Sequence, residues 1–289
     1  MFAVEFAGFA YAYPESGVIL NDINLTIPRG TFTVITGPSG AGKTTLALAV
    51  AGVIPHYFGG RQAGCVRVGG INTADSGMGE LASQVGTVLA DYESQMVAMT
   101  VAEEVAFSLE TVGLSRREMD ERIDQALAMV GLNGRQSCPV TDLSGGQKQR
   151  LVIASVLALA PDILVLDEPA SALDPEGAAG IYELLAALNK QGKTIIAVEH
   201  HLDRVLPYAD QIVLLQDGRI AKAGLAGEVI RHMWAQENLR PGVPALWKIK
   251  LSLEEKLGLK LRDWLTDEQA MAELKSMTDR QGGEEVKSA

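Results

Sequence analysis

An α/β fold built on a mainly parallel core sheet is what this 289-residue sequence predicts, and three observations predict it. A β-branched run at residues 31–36 (TFTVIT) leads directly into a glycine-rich loop at 37–44 (GPSGAGKT). That loop opens into helix-forming sequence at 44–54 (TTLALAVAGVI). Residues 162–167 (DILVLD) form an apolar run ending in acid, the pattern of a strand buried on both faces. Residues 194–198 (TIIAV) and 211–215 (QIVLL) repeat that character, with helical stretches between them. Apolar strands alternating with helices specify a parallel sheet, because parallel neighbours need a crossover connection.

The other elements follow in order. The first thirty residues alternate apolar and polar, with turn signals at Pro14–Gly17 and Pro28–Gly30, which suits short antiparallel strands. Residues 100–133 read as helical, with Glu103, Glu104, Val105, Phe107 and Leu109 mixing charge and apolar spacing. A second helix is expected from about Gly146 to Ala160. From about residue 226 the texture changes: Trp234, Trp247 and Trp264 all lie beyond it, with Pro241 and Pro244 between the first two. Residues 226–280 read as a small helical appendage and 281–289 (QGGEEVKSA) as a disordered tail.

Composition narrows the function. At 47% hydrophobic and 21% charged the chain has enough apolar sequence to form a packed core. Its net charge of −11 repels phosphate backbones, so nucleic acid is not an expected partner. Cys65 and Cys138 have no metal-ligand spacing and read as two reduced cytosolic thiols. The N-terminus lacks a basic start and carries Glu5, so it does not read as a secretory signal. The longest apolar stretch, Leu151–Ala160, stops at Pro161, well short of the roughly 20 residues a membrane-spanning helix needs. Any membrane role is therefore expected to be indirect.

Two segments carry the chemistry of a nucleotide site. In Gly37–Pro38–Ser39–Gly40–Ala41–Gly42–Lys43–Thr44, the glycines let the loop wind tightly enough for successive N–H groups to face phosphates. Lys43 adds a point charge, and the Thr44 hydroxyl, followed by Thr45, is placed to ligate Mg²⁺. The second segment is the end of the 162–167 run, which delivers Asp167 and Glu168 to the carboxyl edge of a parallel strand, where ligands bind in open α/β sheets. One carboxylate there can hold Mg²⁺ and the other can polarise an attacking water. Pro169 and the turn Ser171-Ala172-Leu173-Asp174 follow.

With these segments and residues 143–147 (LSGGQ), the chain resembles the ATP-binding cassette (ABC) ATPases over about residues 2–225. The resemblance implies the P-loop NTPase, ABC-ATPase fold: a mainly parallel core sheet, an N-terminal antiparallel β subdomain, a helical subdomain at about 91–160, and here a small helical C-terminal extension. It implies ATP as substrate, Mg²⁺ as cofactor, Asp167 as the Mg²⁺-side acid and Glu168 as the catalytic carboxylate. It also implies a signature peptide, Ser144, Gly145, Gly146 and Gln147, that serves a nucleotide held by a partner subunit, with Asp174 in the loop that touches that partner. Ser144 and the glycines open a helix whose positive end suits an anion. His200 matches the family's switch histidine, with His201 as the alternative register. Tyr13, before Pro14, matches the aromatic residue that stacks on adenine, with Tyr11 as the alternative.

Shorter segments are similar to the energy-coupling factor (ECF) ATPases of micronutrient importers: Gly52–His56 with Gly59-Gly60, Val198-Glu199-His200 with Leu202-Asp203, and the region near Leu265–Leu274. That group works as homo- or heterodimers docked on an integral membrane subunit, peripheral to the cytoplasmic face of the cell membrane. The acid-rich helix after residue 100 is expected near the docking surface. One departure stands out. Where the family has an aromatic residue and then a glutamine, this chain has Leu89 and Ala90. Gln95 either substitutes in part for that glutamine or only lines the docking groove. A slow or partner-dependent site is expected. The competing readings are a non-transport ABC ATPase of DNA repair or translation, and a regulatory subunit that holds ATP with little turnover.

Overall fold

The computed structural model describes residues 2–110 and 113–285. Ten strands form two sheets. The first is antiparallel, in the order β2-β1-β4-β5, from β1 (Phe2–Ala12), β2 (Leu20–Pro28), β4 (Arg61–Val68) and β5 (Ile71–Asn72). The second has the order β10-β9-β3-β8-β7-β6, from β3 (Phe32–Thr36), β6 (Val85–Val88), β7 (Ile163–Asp167), β8 (Thr194–Val198), β9 (Gln211–Gln216) and β10 (Arg219–Gly224). Its pairs are parallel except β9 with β10, which form a hairpin through Asp217-Gly218.

Alternation along the parallel strands explains their unbroken apolar sequence. In β7, Ile163 and Val165 face the core shared with the antiparallel sheet, while Leu164 and Leu166 face a second core under the helices. Ile196 and Val198 against Ile195 and Ala197 repeat this in β8. Both faces are covered, so no polar residue is needed on either.

Helix α1 (Lys43–Val50) ends just before Gly52, which sits at φ 71, and a short turn α2 (Val53–His56) follows. The expected single helical stretch at 100–133 is two helices, α4 (Val101–Leu109) and α5 (Arg116–Met129), after α3 (Met78–Gln84). Each opens with its own capping box, Thr100 with Glu103 and Ser115 with Glu118, so the polar residues mark a second start rather than one long helix. α6 (Gly145–Leu157) begins at the signature, capped by Ser144, and α7 (Pro175–Lys190) is capped by Asp174 with Pro175 in its first turn.

After α8 (Leu202–Val205), the C-terminal segment folds as α9 (Ala226–Ala235), α10 (Ala245–Leu257) and α11 (Asp267–Glu285). It packs on its own cassette: Trp247 and Leu251 belong to the same core as Ile230 and Leu166. Asp203 accepts a hydrogen bond from the Ala245 N–H at 2.8 Å and so holds the start of α10. The last helix runs on to Glu285, into the segment expected to be a tail, and residues 286–289 lie outside the described residues.

Candidate nucleotide site

The phosphate loop begins where β3 ends, at Thr36. Gly37 has φ 147, and a Cβ there would collide with the carbonyl oxygen of Leu215 on β9, so only glycine lets the loop leave the sheet at this point. Lys43 Nζ donates to the carbonyls of Gly37 and Pro38, each at 2.9 Å, which folds the loop around its own cation. Burial pulls the Lys43 ammonium below its ordinary range, and the charges of Glu168 and Asp167 pull it back up. Ala41 is buried under the loop, and its carbonyl accepts from the Gly218 N–H at 3.2 Å.

Tyr13, Ile19, Ser39, Gly40, Gly42, Lys43, Thr44, Thr45, Glu168 and His200 line one open cavity of about 370 Å³. It brings together the phosphate loop, one acid and one histidine, as the sequence expects of a single nucleotide. Tyr13 reaches Thr45, with their hydroxyls 3.3 Å apart, and keeps part of its surface open. Tyr11 is buried, with its hydroxyl donated to the Gly59 carbonyl at 2.7 Å. Of the two tyrosines, Tyr13 is the one that lines this cavity.

Asp167 lies at the end of β7 and is 3% exposed. Burial raises its carboxyl above the ordinary range, partly offset by a hydrogen bond from Thr44. Its Oδ1 has no partner among the described residues. A buried carboxylate oxygen left unpaired is costly. Here it stands beside a hydroxyl, and the two form a set of hard oxygen donors suited to Mg²⁺. Thr44 and Asp167 thus fit the cation the sequence expects them to hold.

Glu168 departs from the strand with φ 51, a left-handed conformation that costs about 1–3 kcal/mol for a residue with a side chain. Its N–H donates to the Val198 carbonyl at 3.0 Å, which holds the turn and aims the carboxylate outward. His200 Nε2 lies 3.0 Å from Glu168 Oε1. His201 precedes α8, is exposed and makes no such contact, so His200 is the histidine at the site.

The signature forms a separate surface. Ser144, Gly145, Gly146, Gln147, Arg150, Ala172, Leu173, Asp174, Glu176 and Gly177 line a second open cavity of about 500 Å³. It shares no lining residue with the first. Ser144 and Gln147 bond to each other's backbone N–H groups, and Asp174 accepts from the Gly177 N–H at 2.7 Å. The signature and Ala172–Asp174 thus line one open cavity, separate from that of the phosphate loop.

Ala90 lines a third cavity with Thr44, Leu48, Val53, Tyr57, Phe58, Leu89, Asp91 and Asp167. Gln95 does not fill the place of the missing glutamine. Its Oε1 accepts from the Leu89 N–H at 2.9 Å and its Nε2 donates to the Thr87 carbonyl at 3.4 Å, so both ends of the amide hold the backbone after β6.

Sequence reasoning passed over Glu199, a buried acid next to His200 that accepts from the Tyr182 hydroxyl. An acid closing an otherwise apolar strand run was the available signal. Burial, first, and the nearby negative charge of Glu168 push its carboxyl up to about 7, against the hydrogen bond from Tyr182. The folded value exceeds the unfolded one, so the folded protein holds this proton more tightly. The stability this confers is complete below about pH 4.5 and is lost as pH rises through about 7. Between those limits the loss is roughly 3 kcal/mol. Urea melts from pH 4.5 to 8 are expected to show that decline, and Glu199→Gln to flatten it. Parallel slopes for the two proteins would refute the assignment.

The family described as ABC transporter matches residues 20–171. A protein of Pyrococcus abyssi described as an ABC transporter ATP-binding protein is 42% identical, over 94% of this chain and 97% of its own. The energy-coupling factor transporter ATP-binding protein EcfA of Methanococcus maripaludis is 38% identical, over 90% of this chain and 94% of its own. Among solved structures, cbiO1 of Clostridium perfringens, part of the ABC transporter complex cbiONQ, superposes with a TM-score of 0.71 at 31% identity, covering 83% of this chain and 97% of its own. The cassette MJ0796, solved as a dimer in a post-hydrolysis state with ADP and Pi, superposes with a TM-score of 0.66 at 28% identity, covering 77% and 98%. Identity at this level along nearly the whole chain, with a nucleotide cavity built from the residues the resemblance names, makes this protein a member of the ABC transporter family, an ATP-hydrolysing, ATP-binding subunit of a transporter.

Proposed function

We propose that this ATPase powers an ECF-type importer of a micronutrient, a vitamin or a metal ion, as one of a pair of cassettes at the cytoplasmic face of the membrane. One observation carries the pairing: the signature lines an open cavity of its own that shares no residue with the phosphate-loop cavity. A γ-phosphate cradled by Lys43 is completed by the signature of a second cassette, whose α6 N-terminus supplies N–H groups and a partial positive charge. Glu168 polarises the attacking water, and His200, hydrogen-bonded to it, holds that carboxylate and contacts the γ-phosphate. Thr44 and Asp167 hold Mg²⁺, which when bound neutralises charge on the phosphate oxygens.

The membrane partner is supported by exposed apolar side chains, of which Tyr57 and Phe58 line the third cavity and Val97, Met99 and Phe107 lie just before or on α4. Tyr57 is 80% and Met99 82% exposed, and Phe58, Val97 and Phe107 are also exposed. The loop that shows Val97 and Met99 is held from below by buried Glu104 in the acid-rich α4, which accepts from the Val97 and Ala98 N–H groups at 2.9 Å. Among the described residues no helix is long and apolar enough to cross a membrane, so the partner supplies the spanning helices. EcfA supports the ECF assignment by name, and cbiO1, part of an ABC transporter complex, supports assembly with other subunits.

The test is isolation of the tagged chain from detergent-solubilised membranes of its own source. Two integral membrane proteins, a scaffold and a substrate-binding subunit, are expected with it. Recovery with ribosomes or DNA instead points to the non-transport reading and removes this one. The Ala90 cavity yields a second expectation. A glutamine there stands beside Thr44 and Asp167, so Ala90→Gln should raise the ATPase rate of the assembled complex, by up to about 10²-fold. An unchanged or lower rate would mean that the site does not lack this ligand.

A further inference from the structure

We propose that Glu199, held by Tyr182, is a positioning residue that sets the direction of His200; this rests on the reading of Glu168 and His200 as the catalytic pair. Strand β8 is apolar from Ile195 to Val198, and the residue that extends it is an acid only 5% exposed. An apolar side chain would be far cheaper to bury there. What the carboxylate has, and an apolar group lacks, is a directed bond. Its Oε1 accepts from the hydroxyl of Tyr182, which is itself buried and packed against the ring of Tyr208, with centroids 6.3 Å apart.

The backbone turns that bond into an orientation. Glu199 N–H donates to the Ile35 carbonyl at 2.9 Å, which registers it beside β3 just before the phosphate loop. The preceding residue, Val198, accepts from the Glu168 N–H at 3.0 Å. Alternation along β8 continues to Glu199 on the face of Ile195 and Ala197, toward Tyr182. The chain bends at the next residue, so the pinned Glu199 fixes the point from which His200 turns to its 3.0 Å contact with Glu168. Downstream, Arg204 donates to the Ala170 carbonyl at 3.2 Å and ties α8 to the turn after Glu168. The only side-chain bond that reaches the 198–200 segment from outside the sheet and the catalytic pair, among the described residues, is the one from Tyr182.

The strut has a second end. Tyr182 lies on α7, the helix that starts at Asp174 in the signature cavity. The surface that meets a second cassette and the histidine that meets the γ-phosphate are thus two ends of one buried connection.

The experiment uses the full chain in the complex in which it turns over ATP, and measures kcat, KM for ATP and melting temperature for Tyr182→Phe, Glu199→Ala and Glu199→Gln, with His200→Ala and Glu168→Gln as references. Tyr182→Phe and Glu199→Ala are expected to lower kcat about tenfold with KM nearly unchanged, since misplacing a catalytic group costs rate and leaves the binding contacts of Tyr13 and Lys43 intact. Glu199→Gln, whose amide oxygen still accepts from Tyr182, is expected to keep most of the rate. Wild-type kcat in Tyr182→Phe and Glu199→Ala, with the two reference variants inactive, overturns this inference alone. A rate loss that follows melting temperature across all three, with Glu199→Gln no better than Glu199→Ala, assigns the pair to packing and overturns it too. Reference variants that turn over like the wild type overturn the catalytic reading beneath it.

Discussion

Glu168→Gln should lower kcat by about 10²–10⁴-fold, the range for loss of a general base, while ATP still binds. The glutamine keeps the shape of the side chain and its contact with His200, but its amide accepts a proton far less readily than a carboxylate. The φ of 51 at this residue and the bond from its N–H to Val198 are backbone features, so the substitution leaves them in place. Tyr13, Lys43 and the loop glycines are untouched, and KM or Kd for ATP should change little. Because the signature lines an open cavity separate from the chain's own phosphate loop, an ATP-loaded chain that cannot hydrolyse should accumulate as a closed pair. Steady-state ATPase assays and gel filtration with ATP check both halves. Wild-type turnover in the variant would take Glu168 out of the catalytic role and favour the reading of the chain as a regulatory ATP holder.

Glu254→Ala should destabilise the C-terminal extension by about 3–5 kcal/mol, the range for breaking a buried ion pair from one side. Lys250 is 0% exposed, with its ammonium 4.5 Å from the centre of the Trp247 ring. Glu254 accepts from it at 3.0 Å, from Arg231 at 2.6 Å and from the Leu261 N–H at 3.0 Å. Burial alone would raise the Glu254 carboxyl, but these bonds outweigh it and hold the group at about 2. Once the carboxylate is gone, the anion left to Lys250 among the described residues is Asp263, at 3.5 Å and itself half-exposed. Lys250→Met removes the charge instead of stranding it and should cost less than about 1.5 kcal/mol.

The readout is clean because Trp234, Trp247 and Trp264 all lie in the extension, so tryptophan fluorescence follows it alone. Folded-state depression of the Glu254 carboxyl gives stability that is present above about pH 4.5 and lost as pH falls toward about 2. An acid titration of the wild type should therefore release the tryptophans in that window. Equal denaturation midpoints for Glu254→Ala and Lys250→Met would show that the cluster is a solvated surface pair.

The parallel sheet was legible because two-sided burial leaves a strong mark: β7, β8 and β9 are short, unbroken apolar runs, and each was read within about a residue. Strands β4, β6 and β10 were not. Arg61–Val68, near the end of the antiparallel sheet, and Arg219–Gly224, at the edge of the other, keep much of their surface open, so their residues carry no unbroken pattern. The break between α4 and α5 was written in Thr100, Glu103, Ser115 and Glu118, but charged residues mid-stretch read equally well as a helix face. Packing of the extension against its own cassette rests on Trp247 reaching a core otherwise built from residues far earlier in the chain.

The phosphate loop, the acid pair and the signature were determined by the sequence alone, because each acts through backbone N–H groups or through a side chain delivered by the end of one element. Spacing along the chain is then enough. Only the tertiary structure places His200 rather than His201 against Glu168, puts Tyr13 rather than Tyr11 on the nucleotide cavity, and ties both ends of the Gln95 amide to backbone. Each of those turns on which way one side chain points, and that is set by contacts elsewhere in the chain: His200 with Glu168, the Tyr11 hydroxyl donating to the Gly59 carbonyl, and the Gln95 amide donating to the Thr87 carbonyl. The Tyr182–Glu199 connection belongs with them, since burial of an acid and the partner that makes it tolerable become visible only when the helix and the strand lie side by side.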